Sequence, residues 1–484
     1  MKITLLFLLV LCTTPLLAQQ PVYQQFEVDS VAQPKGGLSY LNLFVQTNLR
    51  KPIAAQAIGK IVRTTISAVI EPNGQLTNVK AIPSNSPEAD REAVRVFSLF
   101  NAWQPALKGG ERVRQAVNYP VIFKANEPFT YTGGMRIDYF DSNNKPVSEE
   151  NEKARYRQVT PIDSTGLPTG DIVVFDKKAG WQETVRVSFV QKLELQGPWG
   201  EAVQLVGHQT SDKAWFGKQY TVSMNNKWVS QTMFQNGRST GQRILYHPNG
   251  AVNHQSDEDG KETLSLTTWY PNGQLKQIWT TSKGGFLDAS NPKTVATYWT
   301  ADGKQLVKDG HGQAKYESKV NSLKDSTQHV TFVEEGRYEK GMKQGIWTGR
   351  YSDDSYFFTE TFDKGVCLGG KSKTFNDDST TYTIREMMPE FKGGMEGLGQ
   401  FLSNNLRYPA SAQKANVQGR VFISFVVCED GSLCDYEILK GVHPDVDREA
   451  LRVTKAMSGH WQPGVRRGKN VRVKYNLPIN FSLY

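Results

Sequence analysis

The chain has no Gly-x-Ser-x-Gly elbow, no Walker loop, no His-Glu-x-x-His pair and no Cys-x-x-Cys pair. Those absences remove the motifs that mark serine hydrolases, nucleotide-driven enzymes, zinc proteases and thiol oxidoreductases. Lys-Gly-Gly at 35 and 392 precedes a helical pattern each time, but without the Lys-Ser/Thr of a phosphate loop. Seven histidines are scattered along the 484 residues. The nearest thing to a ligand cluster, His254 with Asp257, Glu258 and Asp259, fits no defined metal loop and reads as an acidic turn in solvent. The reading is a protein that is not an enzyme and takes no cofactor or metal.

Long apolar runs are also missing, except in the first eighteen residues, MKITLLFLLVLCTTPLLA. A lysine, an apolar core, Pro15 and a small residue before Gln19 give residues 1–18 the layout of a secretory signal peptide cleaved after Ala18. The run is shorter than the roughly 20 residues that span a bilayer; the alternative is an uncleaved inner-membrane anchor through residues 4–18. Cys12 has poor flanks for lipid attachment. Only four cysteines are present, and export leaves Cys367, Cys428 and Cys434 in an oxidising compartment. Cys428 and Cys434 flank Gly431 symmetrically in VVCEDGSLC and are a candidate disulfide across a hairpin, or else small packing residues. Their isolation from any second pair argues against zinc.

Charge of one sign does not dominate: 57 Lys and Arg face 48 Asp and Glu, a net of +9 spread along the chain. The local exception, VRRGKNVRVK at Val465 to Lys474, lacks the aromatic interleaving of a nucleic-acid surface, so nucleic acid is excluded as a partner. A basic exported protein suits anionic envelope surfaces.

What the chain has is a duplication. Residues 35–56 align without a gap on 392–413, and Lys35, Gly74 and Asp90 map to Lys392, Gly431 and Asp447, each 357 positions on. After one inserted residue Trp103 matches Trp461, Val113 matches Val471, and Pro120 and Phe123 match Pro478 and Phe481. In the second copy the pattern predicts a helix over Met395–Asn405 ending before Tyr408 and Pro409, a short helix at Ala410–Ala415, and strands Val421–Val427 and Leu433–Leu439 about a Glu-Asp-Gly turn. A helix Asp445–Met457 follows with Val446, Ala450, Val453 and Met457 as its buried stripe, then a last strand, Val471–Phe481, whose Pro478 marks an edge. The expected fold is therefore α+β at both ends, helices packed on a small antiparallel sheet, over residues 25–125 and 385–484, with the turns at Gly74 and Gly431 coinciding.

Residues 130–375 carry a shorter repetition of aromatic, turn and strand: Tyr246 before Pro-Asn-Gly250, Tyr270 before Pro-Asn-Gly273, Tyr298 before Ala-Asp-Gly303, and the Gly-x-Trp-x-Gly-x-Tyr variant about Trp347. They are similar to MORN-like repeats of the YwqK type. The expectation is a central all-β repeat sheet of stacked hairpins, with Tyr246, Tyr270, Tyr298 and Trp347 in equivalent places.

The order Pro389-Glu-Phe-Lys-Gly-Gly394, Tyr408-Pro409, Gly419-Arg-Val, Asp430-Gly431, helix, Trp461-Gln-Pro-Gly resembles the C-terminal domain of the TonB family of energy transducers, in its Bacteroidetes-type form. That resemblance implies a periplasmic protein whose partner is the N-terminal segment of an outer-membrane TonB-dependent transporter, added as a strand to a sheet edge. The implied contacts are Val471, Arg472, Val473, Lys474, Tyr475, Asn476 and Leu477 on the edge, with Asn405, Leu406, Arg407, Tyr408 and Pro409 beside it. Packing is the more economical reading of Tyr408. Arg472 and Lys474 are expected to point outward, and Val473→Pro to remove an edge N–H. The first copy departs from the motif, with Lys51 for Tyr408, Val62-Arg-Thr for Gly419-Arg-Val and Glu71-Pro-Asn for Cys428-Glu-Asp. Inner-membrane motor proteins and peptidoglycan are further implied partners. The 22 prolines form no Pro-rich spacer, which leaves a non-transducing envelope scaffold as the alternative.

Overall fold

The computed structural model describes residues 21–178, 180–235, 237–258, 263–282 and 293–482. The signal peptide read at residues 1–18, with Cys12, lies outside them, as does Asp259 of the His254 cluster. The chain divides into two compact units, Met1–Ile278 with Trp299–Gln305, and Trp279–Tyr298 with Leu306–Tyr484. Each unit holds one end domain together with part of the repeat region.

In the second unit the end domain runs helix Gly394–Asn405, helix Ala410–Lys414, strand Gly419–Val427, strand Leu433–Lys440, helix Pro444–Ala456 and strand Val473–Phe481. Alternation in the central strand turns Val421, Ile423, Phe425 and Val427 to one face, where all four are fully buried with Val446, Ala450, Val453 and Met457 of the long helix. Pro444 opens that helix, where its missing N–H costs nothing. Asp445 and Asp447 lie in its first turn and Lys455 in its last, matching the helix dipole. The first domain repeats this order with helices Leu38–Asn48, Ile53–Ile58 and Pro87–Ser98 and strands Val62–Ile70, Leu76–Ile82 and Glu111–Phe123. Gly74 and Gly431 both sit in the hairpin turn with φ of 81°. A Cβ at either would collide with the carbonyl oxygen of Trp103 or Trp461, so both turns require glycine.

The repeat region is antiparallel strand throughout its paired stretches. In the first unit the strands from Gln182–Glu194 to Thr263–Trp269 each pair with the next. In the second unit those from His311–Asn321 to Thr380–Tyr382 do the same. The expected equivalence of aromatics needs correcting. Turns open at His247, Tyr270 and Thr300, each accepting from the Gly three residues on. Counted back from those glycines, Tyr246, Trp269 and Trp299 share a position, whereas Tyr270 matches His247, and Trp347 lies inside the strand Met342–Tyr351. The Asn-Gly and Asp-Gly pairs set the turn, so the register follows glycine and not the tyrosines. Successive turns are stitched together, Asn249 donating to Pro271 O (2.7 Å) and Asn272 to Ala301 O (3.1 Å).

Neither end domain stands apart from its part of the repeat region. In the first unit Ile244, Tyr246, Val252, Trp269 and Leu275 belong to the same buried cluster as Leu41, Phe44 and Phe97. In the second unit the tie is ionic. Glu360, wholly buried on the strand Tyr356–Asp363, accepts from Arg467 Nε (2.7 Å), Arg385 Nε (3.2 Å) and the Tyr382 hydroxyl (3.0 Å). The Arg467 guanidinium lies 3.5 Å over the Phe358 ring, and Gly349 is the only residue type that leaves room for that ring beside it.

Burial alone would raise the Glu360 pKa, but the Arg467 hydrogen bond and the fields of both guanidinium groups outweigh it and hold the carboxyl below its ordinary range. A folded pKa below the unfolded value of about 4.3 means the stabilisation is complete above that pH and is lost as pH falls through the folded pKa. Glu360→Gln is expected to cost about 3–5 kcal/mol at neutral pH by stranding a buried guanidinium, with most of it recovered in Glu360→Gln/Arg467→Met. Urea unfolding at a series of pH values should show a wild-type loss of stability below about pH 4 that is flattened in the double variant.

Candidate functional site

The strand Gly419–Val427 pairs regularly with the last strand, from Gly419 opposite Phe481 to Val427 opposite Val473, and on its other side with Leu433–Lys440. The sheet order puts Val473–Phe481 at one end. Its odd-numbered residues from Val473 to Phe481 face the core, with Leu477, Ile479 and Phe481 buried, while Lys474, Asn476, Pro478 and Asn480 are exposed. Among the described residues no strand pairs with its outer side.

This edge is shorter than expected. Lys469–Val471 belongs to another ladder, Val471 lying opposite Gly464, and pairing changes partner at Arg472. Val471 and Arg472 are therefore off the edge. The direction of the amides is set by the hairpin: Cys428 donates to Ser432 O (2.8 Å) and accepts from Gly431 N (2.9 Å), so both its backbone groups face the strand Leu433–Lys440. Backbone groups alternate along an antiparallel strand, so those of Val427 face Val473, and those of Val473 face back. The outward amides are Lys474, Asn476 and Asn480. Val473→Pro would thus break the ladder to Val427 and not the free edge. Pro478 lies on the outward parity, where its missing N–H leaves the ladder intact.

The two basic side chains do not reach past the edge. Arg472 pairs with Asp435 (2.7 Å) and Lys474 with Glu437 (3.4 Å) across the central strand, on the open face of the sheet. Asn405, Leu406 and Arg407 form a corner whose backbone is spoken for. Asn405 Nδ2 donates to Phe401 O (2.8 Å), Arg452 Nη2 donates to Asn405 O (2.6 Å), and Arg407 N donates to Glu449 Oε1 (2.7 Å). Leu406 packs on the core, and the Tyr408 hydroxyl donates to Val417 O while its ring meets Phe481. Pro409 precedes the short helix as its N-cap. Only the Arg407 side chain in this stretch is exposed. Cys428 and Cys434 are free thiols: Cys434 lies opposite Val426, not opposite Cys428, and the neighbouring Cys428 thiol pushes the Cys434 pKa up.

The first domain builds the same corner and then covers it. Arg95 Nη2 donates to Asn48 O (2.9 Å), Arg50 N to Glu92 Oε1 (2.7 Å), and Lys51 Nζ to Lys60 O (2.9 Å), the carbonyl that matches Val417 O. Lysine thus keeps the bond that tyrosine makes in the second copy. Here, however, Asn48 Oδ1 accepts from Val252 N (2.7 Å), and the Arg50 guanidinium lies over Trp228 at 4.1 Å. The edge is also engaged. Val22–Tyr23 pairs parallel with Arg114 and Gln115, the Ala32 amide donates to Gln115 Oε1 (2.6 Å), and Gln46 donates to the outward carbonyl of Ile122 (3.0 Å). Arg114 is held by a double hydrogen bond to Glu71 (2.8 and 2.9 Å), whose place Cys428 takes in the second copy. The departures at 51 and 71 were legible in the sequence; the covering strand at Val22–Tyr23 had no signal there.

The family model for the Gram-negative bacterial TonB protein C-terminal matches the chain twice, at residues 48–125 and 404–483. Similar solved structures include two NMR solution structures of the Helicobacter pylori TonB C-terminal domain. One (its residues 179–285) is 25% identical and covers 19% of this chain and 80% of its own, with a TM-score of 0.16. The other (its residues 194–285) is 27% identical and covers 18% and 91%, also with a TM-score of 0.16. No curated protein matches the chain.

Glu449 joins the corner to the long helix from a largely buried position, whereas Arg472 sits in an open ion pair. Glu449→Ala is expected to cost about 1–3 kcal/mol, the range for losing charged hydrogen bonds to buried groups. Arg472→Ala should leave the urea midpoint unchanged, since exposed pairs contribute little. Equal losses in the two variants would show that the open face, and not the corner, holds the domain.

Proposed function

We propose, from the two matches to the TonB C-terminal family model, that the second copy is the working one: a periplasmic module that takes an extended segment of an outer-membrane TonB-dependent transporter as an added strand on Val473–Phe481. The observation that carries this reading is the contrast between the copies. The second has an unpaired edge with outward amides at Lys474 and Asn476 and an exposed Arg407 beside it. The first has its edge met by Val22–Tyr23 and its Arg50 laid on Trp228. Strand addition draws its affinity from backbone hydrogen bonds, so an accessible run of N–H and C=O groups is the physical requirement.

Val22–Tyr23 pairs parallel at Arg114 and Gln115, the positions of Arg472 and Val473, so in the first copy a strand abuts the start of the corresponding edge. Coupling to an inner-membrane motor needs an anchor. No helix among the described residues is long and apolar enough to cross a membrane. The alternative, a non-transducing envelope scaffold, is favoured by the burial of the first copy's corner against the repeat region, which gives that copy a structural part.

The test uses the full chain in intact envelopes with a photoreactive residue in place of Lys474 or of its counterpart Ala116. Transporters of the TonB-dependent class should crosslink from 474 and not from 116. Asn476→Pro, which removes an outward amide without touching the ladder to the central strand, should abolish the crosslink while the protein stays folded. Equal capture from both positions, or capture that survives in a folded Asn476→Pro protein, would sink the proposal.

A further inference from the structure

Beside the first residues of the last strand, the second unit holds a cavity of about 370 Å³. Its floor is apolar and closed, built from the buried Phe391, Leu398 and Trp461, with Phe391 and Trp461 edge-to-face at 5.6 Å. Its rim is apolar and open: Met387, Met388 and Met395 are 36%, 60% and 73% exposed. Three of the chain's nine methionines thus surround one space, and among the described residues Glu390 is the one charged member of its wall. Exposed thioethers grouped over an aromatic floor are unlike a solvated surface. Flexible, polarizable Met side chains repack readily around an incoming apolar group.

Tyr475 joins this space to the free edge. Its ring packs on Trp461 at 4.9 Å and stacks on Phe425, the residue opposite it on the central strand. Tyr475 lies between Lys474 and Asn476, whose amides point outward, while its own side chain packs on the core beneath the helices. In a strand paired with this edge, parallel or antiparallel, the residue beside Tyr475 turns its side chain to that same face. The cavity lies on that face. The first copy keeps the frame and replaces the lining. Phe391 opposite Trp461 and Met387 opposite Val465 repeat Pro34 opposite Trp103 and Ser30 opposite Leu107. By that correspondence Ser30, Val31, Pro34 and Val117 stand where the second copy has Met387, Met388, Phe391 and Tyr475. The large, soft lining belongs to the copy with the open edge.

We propose that this cavity is the side-chain pocket of the free edge: it takes one large apolar side chain, aromatic or unbranched, from the residue of the added transporter segment that lies beside Tyr475. The proposal rests on strand addition at Val473–Phe481. Backbone bonds alone let a segment slide by two residues, whereas a filled pocket fixes one register. Glu390 at the rim turns away an acidic side chain.

The test extends the crosslinking of the full chain in intact envelopes to a photoreactive residue in place of Met388 or Met395, with the adducts mapped by mass spectrometry. The transporter caught from position 474 should also be caught from 388 and 395, through a large apolar residue of the same segment. Met395→Glu should lower the yield from 474 about 10- to 100-fold, as for one large apolar side chain kept out of its pocket. Gln400→Glu, exposed on the same helix, should leave that yield unchanged. Both variants should keep the wild-type thermal midpoint, because both side chains are exposed. Capture from 474 without capture from 388 or 395, adducts on a polar or small residue, or equal yields in the two variants would overturn the pocket and leave strand addition standing. Capture from none of the three positions would remove both.

Discussion

Each end domain is fastened to its part of the repeat region by an arginine laid on an aromatic ring, and the rest of the architecture follows from which arginine that is. In the first unit it is Arg50, 4.1 Å over Trp228. In the second it is Arg467, 3.5 Å over Phe358 and bonded to the buried Glu360. A guanidinium suits this place because it stacks on a ring face while its donors lie in the plane for a carboxylate or carbonyl. These two arginines are not equivalent in the duplication. Arg50 corresponds to Arg407, and Arg467 to Gly109, so the same module is fastened by different faces.

The choice of face decides what each copy has left to offer. Docking through Arg50 and Asn48 consumes the corner that precedes the short second helix, and the first copy's edge is met by Val22–Tyr23. Docking through the hairpin at Arg467 consumes a loop on the far side of Trp461 and leaves both Arg407 and the strand Val473–Phe481 exposed. A duplicated domain thereby becomes one copy packed on its repeat strands and one copy with an open edge, while the order of helices and strands stays the same. The bonds that shape the corner, from Arg95 or Arg452 and Glu92 or Glu449, are the same in both.

The duplication, the elements of each end domain and the glycine turns could be read in the sequence because they depend on local rules: alternation, helical periodicity, and the positive φ of Gly74 and Gly431. The register of the central aromatics went wrong because tyrosine was the more visible letter, while the turn is set by the glycine. The edge was drawn too long for a related reason. Val471 and Val473 look alike in a strand pattern, but Val471 pairs with Gly464 and Val473 with Val427, and no one-dimensional pattern shows a change of partner. Arg472 and Lys474 looked available because Asp435 and Glu437 lie far off in sequence and meet them only across the folded sheet.

Proline parity narrows the part of the edge that has free amides. Pro478 and its counterpart Pro120 both occupy outward positions, where the missing N–H harms no internal bond but also offers none to an added strand. An added strand can therefore draw donors from Lys474 and Asn476 and then meets a gap before Asn480. In the first copy the added strand lies at Arg114 and Gln115, the positions of Arg472 and Val473, at the same end of the edge. The first copy's strand thus stops just short of the counterparts of Lys474 and Asn476, next to the hairpin that in the second unit is pinned by Arg467. An edge that begins at a fastened hairpin and is interrupted by a proline is short and rigid at one end, so its geometry leaves few registers in which a further strand could pair with it.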